Sequence, residues 1–192
     1  MAIQISVTGL AKFMKSRPAS QRTMLKTYKF QTDKNGNKRP QIVRYSEARA
    51  AIKKYHSKGN DIATLIAAVA ELQRKEITHP EKDSGRIRDN IKAIQTYMSH
   101  FSKNKFVVLD NPKPKYKHGE VEVSATPDLF VDDSGVKKMI KLDFNSLALD
   151  SESVNVILKV IHEASSLQEL GVQPKDVIYY QKGEPPALPG WQ

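Results

Sequence analysis

The sequence predicts an α/β protein in which a basic helical region precedes a small mixed β-sheet flanked by helices. Three observations carry that prediction. Up to about residue 104 the apolar residues recur at helical spacing. From Lys105 they turn to strand-like runs, with alternation over Glu120–Val131 and a turn at Asp132-Asp133-Ser134-Gly135. Charge changes sign between the halves: Met1–His118 holds 25 Lys and Arg against 9 Asp and Glu, whereas Gly119–Gln192 holds 6 against 12. The divisions expected are a helical region over 1–104, an α/β core over 105–184 and a proline-rich tail over 185–192.

The elements follow in order. Leu10, Phe13 and Met14 after Ser6-Val7-Thr8 predict a first helix, and Pro18 suits the first turn of a second, with Met24, Leu25 and Tyr28. DKNGNKRP, from Asp33 to Pro40, predicts a loop. Ser46 is expected to cap a helix through Ala51, Ile52 and Tyr55 that ends near Gly59. Asn60 is expected to cap the next, with Ile62, Leu65, Ile66, Val69 and Leu72 on its apolar face. A loop at 78–84 leads to a long helix with Ile87, Ile91, Ile94, Tyr97 and Met98. Phe106–Leu109 predicts a short strand, and the two prolines of NPKPKYKHG an extended loop. One strand is expected over Glu120–Val131 and its hairpin partner over Val136–Phe144. Asp150 or Ser151 caps a helix with Val154, Ile157, Leu158, Ile161, Leu167 and Leu170, which Gly171 ends. Asp176–Tyr180 predicts the last strand.

Composition limits the chemistry. The 192 residues are 39% hydrophobic and include no Cys, which excludes a disulfide framework and a Cys-based zinc site. The five histidines show no HxxxH or HExxH spacing. No phosphate-binding glycine loop or nucleophile elbow is present. The longest apolar run, Ile62–Ala70, is interrupted by Thr64 and too short to span a bilayer. MAIQISVTGL lacks a basic stretch followed by an apolar core, so no export signal is expected there and the expected location is cytoplasmic. The net charge of +10, concentrated in the first half, points to a polyanionic partner, nucleic acid first.

The chemistry concentrates in TPDLFVDDSGVKKMIKLDFN, Thr126–Asn145. Alternation in a strand puts Asp143 and Asn145 on one face, and the hairpin sets Asp128 beside Asp143. Two adjacent carboxylates repel unless a divalent metal or a basic side chain balances them. Taken singly, Asp128 after Pro127 also reads as a residue that caps a turn. Asp143, framed by Ile140, Leu142 and Phe144, needs a partner in any reading.

This stretch resembles the PD-(D/E)XK nuclease superfamily, in particular its RecB-like exonuclease branch. The resemblance rests on Pro127-Asp128, the hairpin and Asp143-Phe144-Asn145. GEVEVSATPDLFV is similar to the family's glycine-led strand, and the helix after Asp150 and the strand at Asp176 are similar to its continuation. It implies a restriction-endonuclease-like core and metal-dependent phosphodiester hydrolysis of DNA. It also implies Mg²⁺ or Mn²⁺ held by Asp128, Asp143 and the backbone carbonyl of Phe144. The chain departs from the pattern at Asn145, where the family has a catalytic lysine. A Gln-x-x-x-Tyr pattern after the core is absent too. Lys141 or Lys159 is expected to supply the missing charge, or the site is degenerate and the protein binds nucleic acid without cutting. A third reading is a protein-interaction module of inhibitor or immunity type, or a subunit of a DNA-processing or defence complex. His56 is a candidate for the histidine that RecB-like nucleases place before the core, beside the plainer expectation of a surface histidine. Glu122 is a candidate outer ligand, and Tyr116, Tyr179, Tyr180 and Trp191 are candidates for stacking on bases.

Overall fold

The computed structural model describes residues 3–29, 44–78, 84–145 and 148–181. The DKNGNKRP segment and the proline-rich tail, with Trp191, lie outside the described residues, as does most of the loop expected at 78–84. The chain opens with a strand that helical spacing had hidden, β1 (Ile3–Ser6). Helices α1 (Val7–Lys15), α2 (Pro18–Lys29), α3 (Ser46–Ser57), α4 (Ala63–Thr78) and α5 (Ser84–Phe101) follow. Then come β2 (Val107–Val108), β3 (Lys115–His118), β4 (Val121–Ser124), β5 (Leu129–Asp133), β6 (Val136–Asp143), α6 (Ser151–Ser166) and β7 (Val177–Gln181). The protein is α/β with two mixed sheets.

Strand order is β1-β4-β3 in one sheet and β2-β5-β6-β7 in the other. β1 runs parallel to β4, with Ile3 opposite Val121. β5 and β6 form the expected hairpin, Leu129 opposite Ile140. Ser134 and Gly135 turn it with φ of 57° and 88°, the left-handed conformation of a two-residue hairpin loop. β7 lies parallel to β6 after the α6 crossover, Met139 opposite Val177.

The four-stranded sheet is buried on both faces. Helices α3–α5 cover Leu129, Val131, Ile140, Leu142, Phe144 and Tyr180. On the other side α1, α6 and the smaller sheet cover Phe130, Met139, Val177 and Tyr179. Residues before 105 and after it therefore share both cores. Double burial suits the apolar run Leu129–Val131 of β5.

Several expectations are corrected. The single strand expected over Glu120–Val131 divides into β4 and β5, which lie in different sheets. Pro127 has no N–H to continue a ladder, and Ala125 N donates instead to Pro114 O at 2.9 Å. Part of NPKPKYKHG is the edge strand β3, not loop, and its exposed Lys115 and Lys117 suit an edge. On α4, Leu65 and Leu72 are buried but Ile62 and Ile66 are exposed. Asp61 caps that helix through its side chain to Ala63 N. Asn60 is used elsewhere, donating to Phe106 O and accepting from His56 Nδ1. α6 ends at Ser166 and leaves Leu167 exposed. Asp150 caps it as expected, accepting from Ser153 N at 2.8 Å.

His56 is not at the surface. It is 2% exposed, with Nε2 accepting from the Tyr97 hydroxyl at 2.7 Å and its ring against Tyr55 and Phe106. Burial pushes its pKa below the ordinary histidine range. The unfolded chain takes up a proton at about pH 6.5, while the folded imidazole resists it. Stability contributed here is complete above that pH and is lost as pH falls below it. The urea midpoint of the wild type should therefore drop between about pH 7.5 and about pH 5.5. His56→Gln should flatten that dependence, and an identical slope in the variant would contradict this role for His56.

Candidate active site

The site forms where the β5–β6 hairpin opens. Asp128 N donates to Ile140 O at 2.9 Å, one residue out of the Leu129–Ile140 register, so the regular ladder stops there. Pro127 cannot continue it, and the Asp128 carboxylate takes over: its Oδ2 accepts Leu142 N at 2.8 Å. Lys141, opposite Asp128 in register, brings Nζ to 3.2 Å from the same oxygen and donates to Thr126 O at 3.2 Å. From the helical side, Arg49 of α3 reaches over the end of the sheet. Its Nε lies 2.9 Å from Asp128 Oδ1, and its Nη2 donates to Leu142 O at 3.0 Å.

Asp143 sits two residues past Lys141 on the same strand face and is 5% exposed. Its Oδ2 accepts the Tyr179 hydroxyl at 2.6 Å. Its Oδ1 accepts both Asn145 N, at 3.0 Å, and the Asn145 side-chain amide. Burial pushes the Tyr179 phenol far up, and the charges of Asp143 and Asp128 push it further. It therefore stays a neutral donor. Only Asp143 of the two acids bonds this hydroxyl directly.

The structure thus brings Asp128, Asp143, Asn145 and Lys141 together. Phe144 lies in the same turn of chain, its ring fully buried between Tyr45 and Tyr180. Lys159 does not join them. It is on the exposed face of α6, opposite the buried stripe of Val154, Ile157, Leu158 and Ile161. Glu122 lies in the smaller sheet, paired with Lys115 at 2.8 Å and Lys117 at 3.8 Å. His56 is two helical turns from Arg49, about 10 Å along α3, and is held by Asn60 and Tyr97. Tyr179 and Tyr180 are 1% and 0% exposed, so neither ring is open to a base. Tyr116 is half-buried in β3.

Comparison with protein-family models, curated proteins and solved structures returns no match. The geometry alone bears on function.

Arg49 was not read as a site residue from the sequence, and Tyr179 was read only as a ring for stacking on bases, not as the partner of Asp143. Arg49 did leave a signal: it lies within the apolar stripe of α3, among Tyr45, Ala48 and Ile52, where a cation requires a buried partner. Tyr179 left none, since a tyrosine in an apolar strand is ordinary core.

The acids satisfy the donor chemistry of a hard divalent cation, two carboxylates on neighbouring strands. Asp143 Oδ1 and Asp128 Oδ2 each already accept two donors, whereas Asp143 Oδ2 accepts only the Tyr179 hydroxyl and Asp128 Oδ1 faces Arg49. Those two oxygens retain capacity. Among the described residues no group of three or more His, Asp and Glu gathers around a common point. The formal charge of Asp128, Asp143, Arg49 and Lys141 together is zero.

Arg49 and Asp128 should be strongly coupled. Arg49→Ala and Asp128→Ala should each lower the denaturation midpoint, and a double-mutant cycle should return a coupling of about 1–3 kcal/mol. A coupling near zero would show that the pair contributes nothing to the fold.

Proposed function

We propose that the chain is a metal-dependent nuclease-like protein of the PD-(D/E)XK, RecB-like type that acts on DNA. The observation that carries this reading is the convergence of Asp128, Asp143 and Lys141 at the open end of one hairpin. Support comes also from the order of elements around it: the β5–β6 hairpin, the crossover helix α6 and a strand, β7, parallel to β6 in the same sheet. In this reading Asp128 and Asp143 are the ligands of Mg²⁺ or Mn²⁺, with the Phe144 carbonyl completing the set. Such an ion supplies Lewis acidity and a hydroxide nucleophile near neutral pH.

The chain's own residues do the rest. Tyr179 and Asn145 fix the orientation of Asp143 from both oxygens. In this reading Lys141 takes the part of the missing motif lysine from two residues before Asp143 rather than two after. Its ammonium is placed to stabilise negative charge on a phosphate and on an attacking oxygen. Exposed Lys12 of α1, Arg17 before α2, Arg22 and Lys26 of α2, Lys53 and Lys54 of α3 and Lys58 just past it offer phosphate contacts. No helix among the described residues is long and apolar enough to cross a membrane, and a cytoplasmic site of action is part of the same proposal.

A second reading has its own observation. Asp128 is already balanced by Arg49 and Lys141. A core in which that ion pair replaces the metal would bind nucleic acid without cutting it.

Two measurements separate these readings. DNA binding should weaken steeply with salt, by about 10³-fold between about 50 and 200 mM if six or more phosphates are contacted. Absence of binding at low salt would favour an acidic protein partner instead. Cleavage of single- or double-stranded DNA in Mg²⁺ or Mn²⁺ should vanish in Asp143→Ala and in Lys141→Met, while Lys141→Met retains most binding. An inactive wild type that still binds would support the second reading, and cleavage surviving Asp143→Ala would remove the nuclease assignment altogether.

A further inference from the structure

Arg49 is under-used where it stands. Of the five N–H donors on its guanidinium, the described residues engage one in an aligned hydrogen bond, Nη2 to Leu142 O. Nε is 2.9 Å from Asp128 Oδ1, an ion-pair distance, yet it is buried without an aligned hydrogen bond. The side chain is 27% exposed, so its outer edge meets solvent at the site. Lys141, by contrast, holds Asp128 Oδ2 and Thr126 O together. Arg49 is thus tethered to the backbone of β6 by a hydrogen bond, while its hold on Asp128 is an ion pair without an aligned hydrogen bond.

We propose that Arg49 is a displaceable counter-ion, which balances Asp128 while no divalent cation is bound and turns its guanidinium to a nucleic-acid phosphate once one is. The inference rests on the metal-dependent reading above. Asp128 Oδ1 is both the oxygen that Arg49 faces and the one with capacity left for a metal. A guanidinium and a divalent ion cannot both lie against it without repulsion. The tether to Leu142 O keeps the released fork beside the site. A planar fork of donors matches two phosphate oxygens better than an ammonium does. Metal binding then exposes the phosphate ligand, so metal and nucleic acid strengthen each other's binding, reciprocally. The chain compensates in this way for an amide at position 145: the second cation reaches the phosphate from a helix outside the sheet.

The test uses the full chain and Mn²⁺ alone, with free Mn²⁺ read by electron paramagnetic resonance. A neighbouring opposite charge shifts a carboxylate's proton affinity by one to three pK units, and metal affinity moves in the same sense, so Arg49→Gln should bind Mn²⁺ about tenfold tighter than wild type. Arg49→Lys keeps the charge and should bind Mn²⁺ as wild type does. It also covers the case in which the glutamine variant fails to fold. DNA affinity, measured in Ca²⁺ to avoid cleavage, should rise on adding the ion in wild type and not in either variant. Mn²⁺ affinity unchanged or weaker in Arg49→Gln, or an undiminished Ca²⁺ effect on DNA in both variants, would overturn the proposal. Absence of Mn²⁺ binding in folded wild type and folded variants would overturn the metal-dependent reading with it, whereas binding in wild type that Asp143→Asn retains would place the ion elsewhere.

Discussion

A carboxylate at the end of a sheet covered on both faces has to be balanced from within reach. Asp128 meets this requirement from two directions, Lys141 along the sheet and Arg49 across it. The second contact ties the helical half to the strand half at the point where the chemistry is expected. Removing either partner would leave a largely buried charge less well balanced. The same constraint governs Asp143, which carries no ion pair among the described residues. There neutral donors do the work, the Tyr179 hydroxyl on one oxygen and the Asn145 backbone and side chain on the other. The amide at position 145 thus has a plain structural use, fixing the acid two residues before it.

Much of this was legible in the sequence, for local reasons. The hairpin announced itself through Asp-Asp-Ser-Gly between apolar runs, and α5 and α6 through sustained helical spacing. Strand alternation also put Lys141 and Asp143 on one face of β6, although the direct partner of Asp128 across the hairpin is Lys141. What escaped depends on contacts between distant parts of the chain. β1 is four residues long, and it is a strand because β4 lies beside it. β4 and β5 looked like one strand because alternation continues through Pro127, whose missing N–H breaks the ladder but not the pattern. Ile66 of α4 reads as core by spacing, yet no element among the described residues covers it. Arg49 is joined to Asp128 only by the tertiary fold, so its role could be suspected from the apolar residues around it but not assigned.

An aromatic column runs behind the candidate site. Tyr97 stacks on Phe101 at 4.9 Å, Phe101 meets Tyr180 edge-on at 4.8 Å, and Tyr180 meets Phe144, which meets Tyr45. His56 joins its far end through Tyr97. Such rings offer large packed area with few rotatable bonds. They hold the backbone at Leu142–Phe144 firmly from the helical side while Met139 and Tyr179 hold β6 from the other. Preorganisation of two acids against their mutual repulsion needs that kind of rigidity.

The parallel pairing of β1 with β4 has a consequence for how the chain is made. Gln4 and Glu122, hydrogen-bonded across that pair, are 118 positions apart, and Lys15 meets Glu152 across 137. Contacts of this span close late, because the loop entropy must be met first. On the ribosome the amino-terminal strand and helix have no docking surface until the acidic half has emerged. Until then α3–α5 can pack on one another but keep the side that faces the sheet uncovered, on a stretch of chain whose charge is strongly positive.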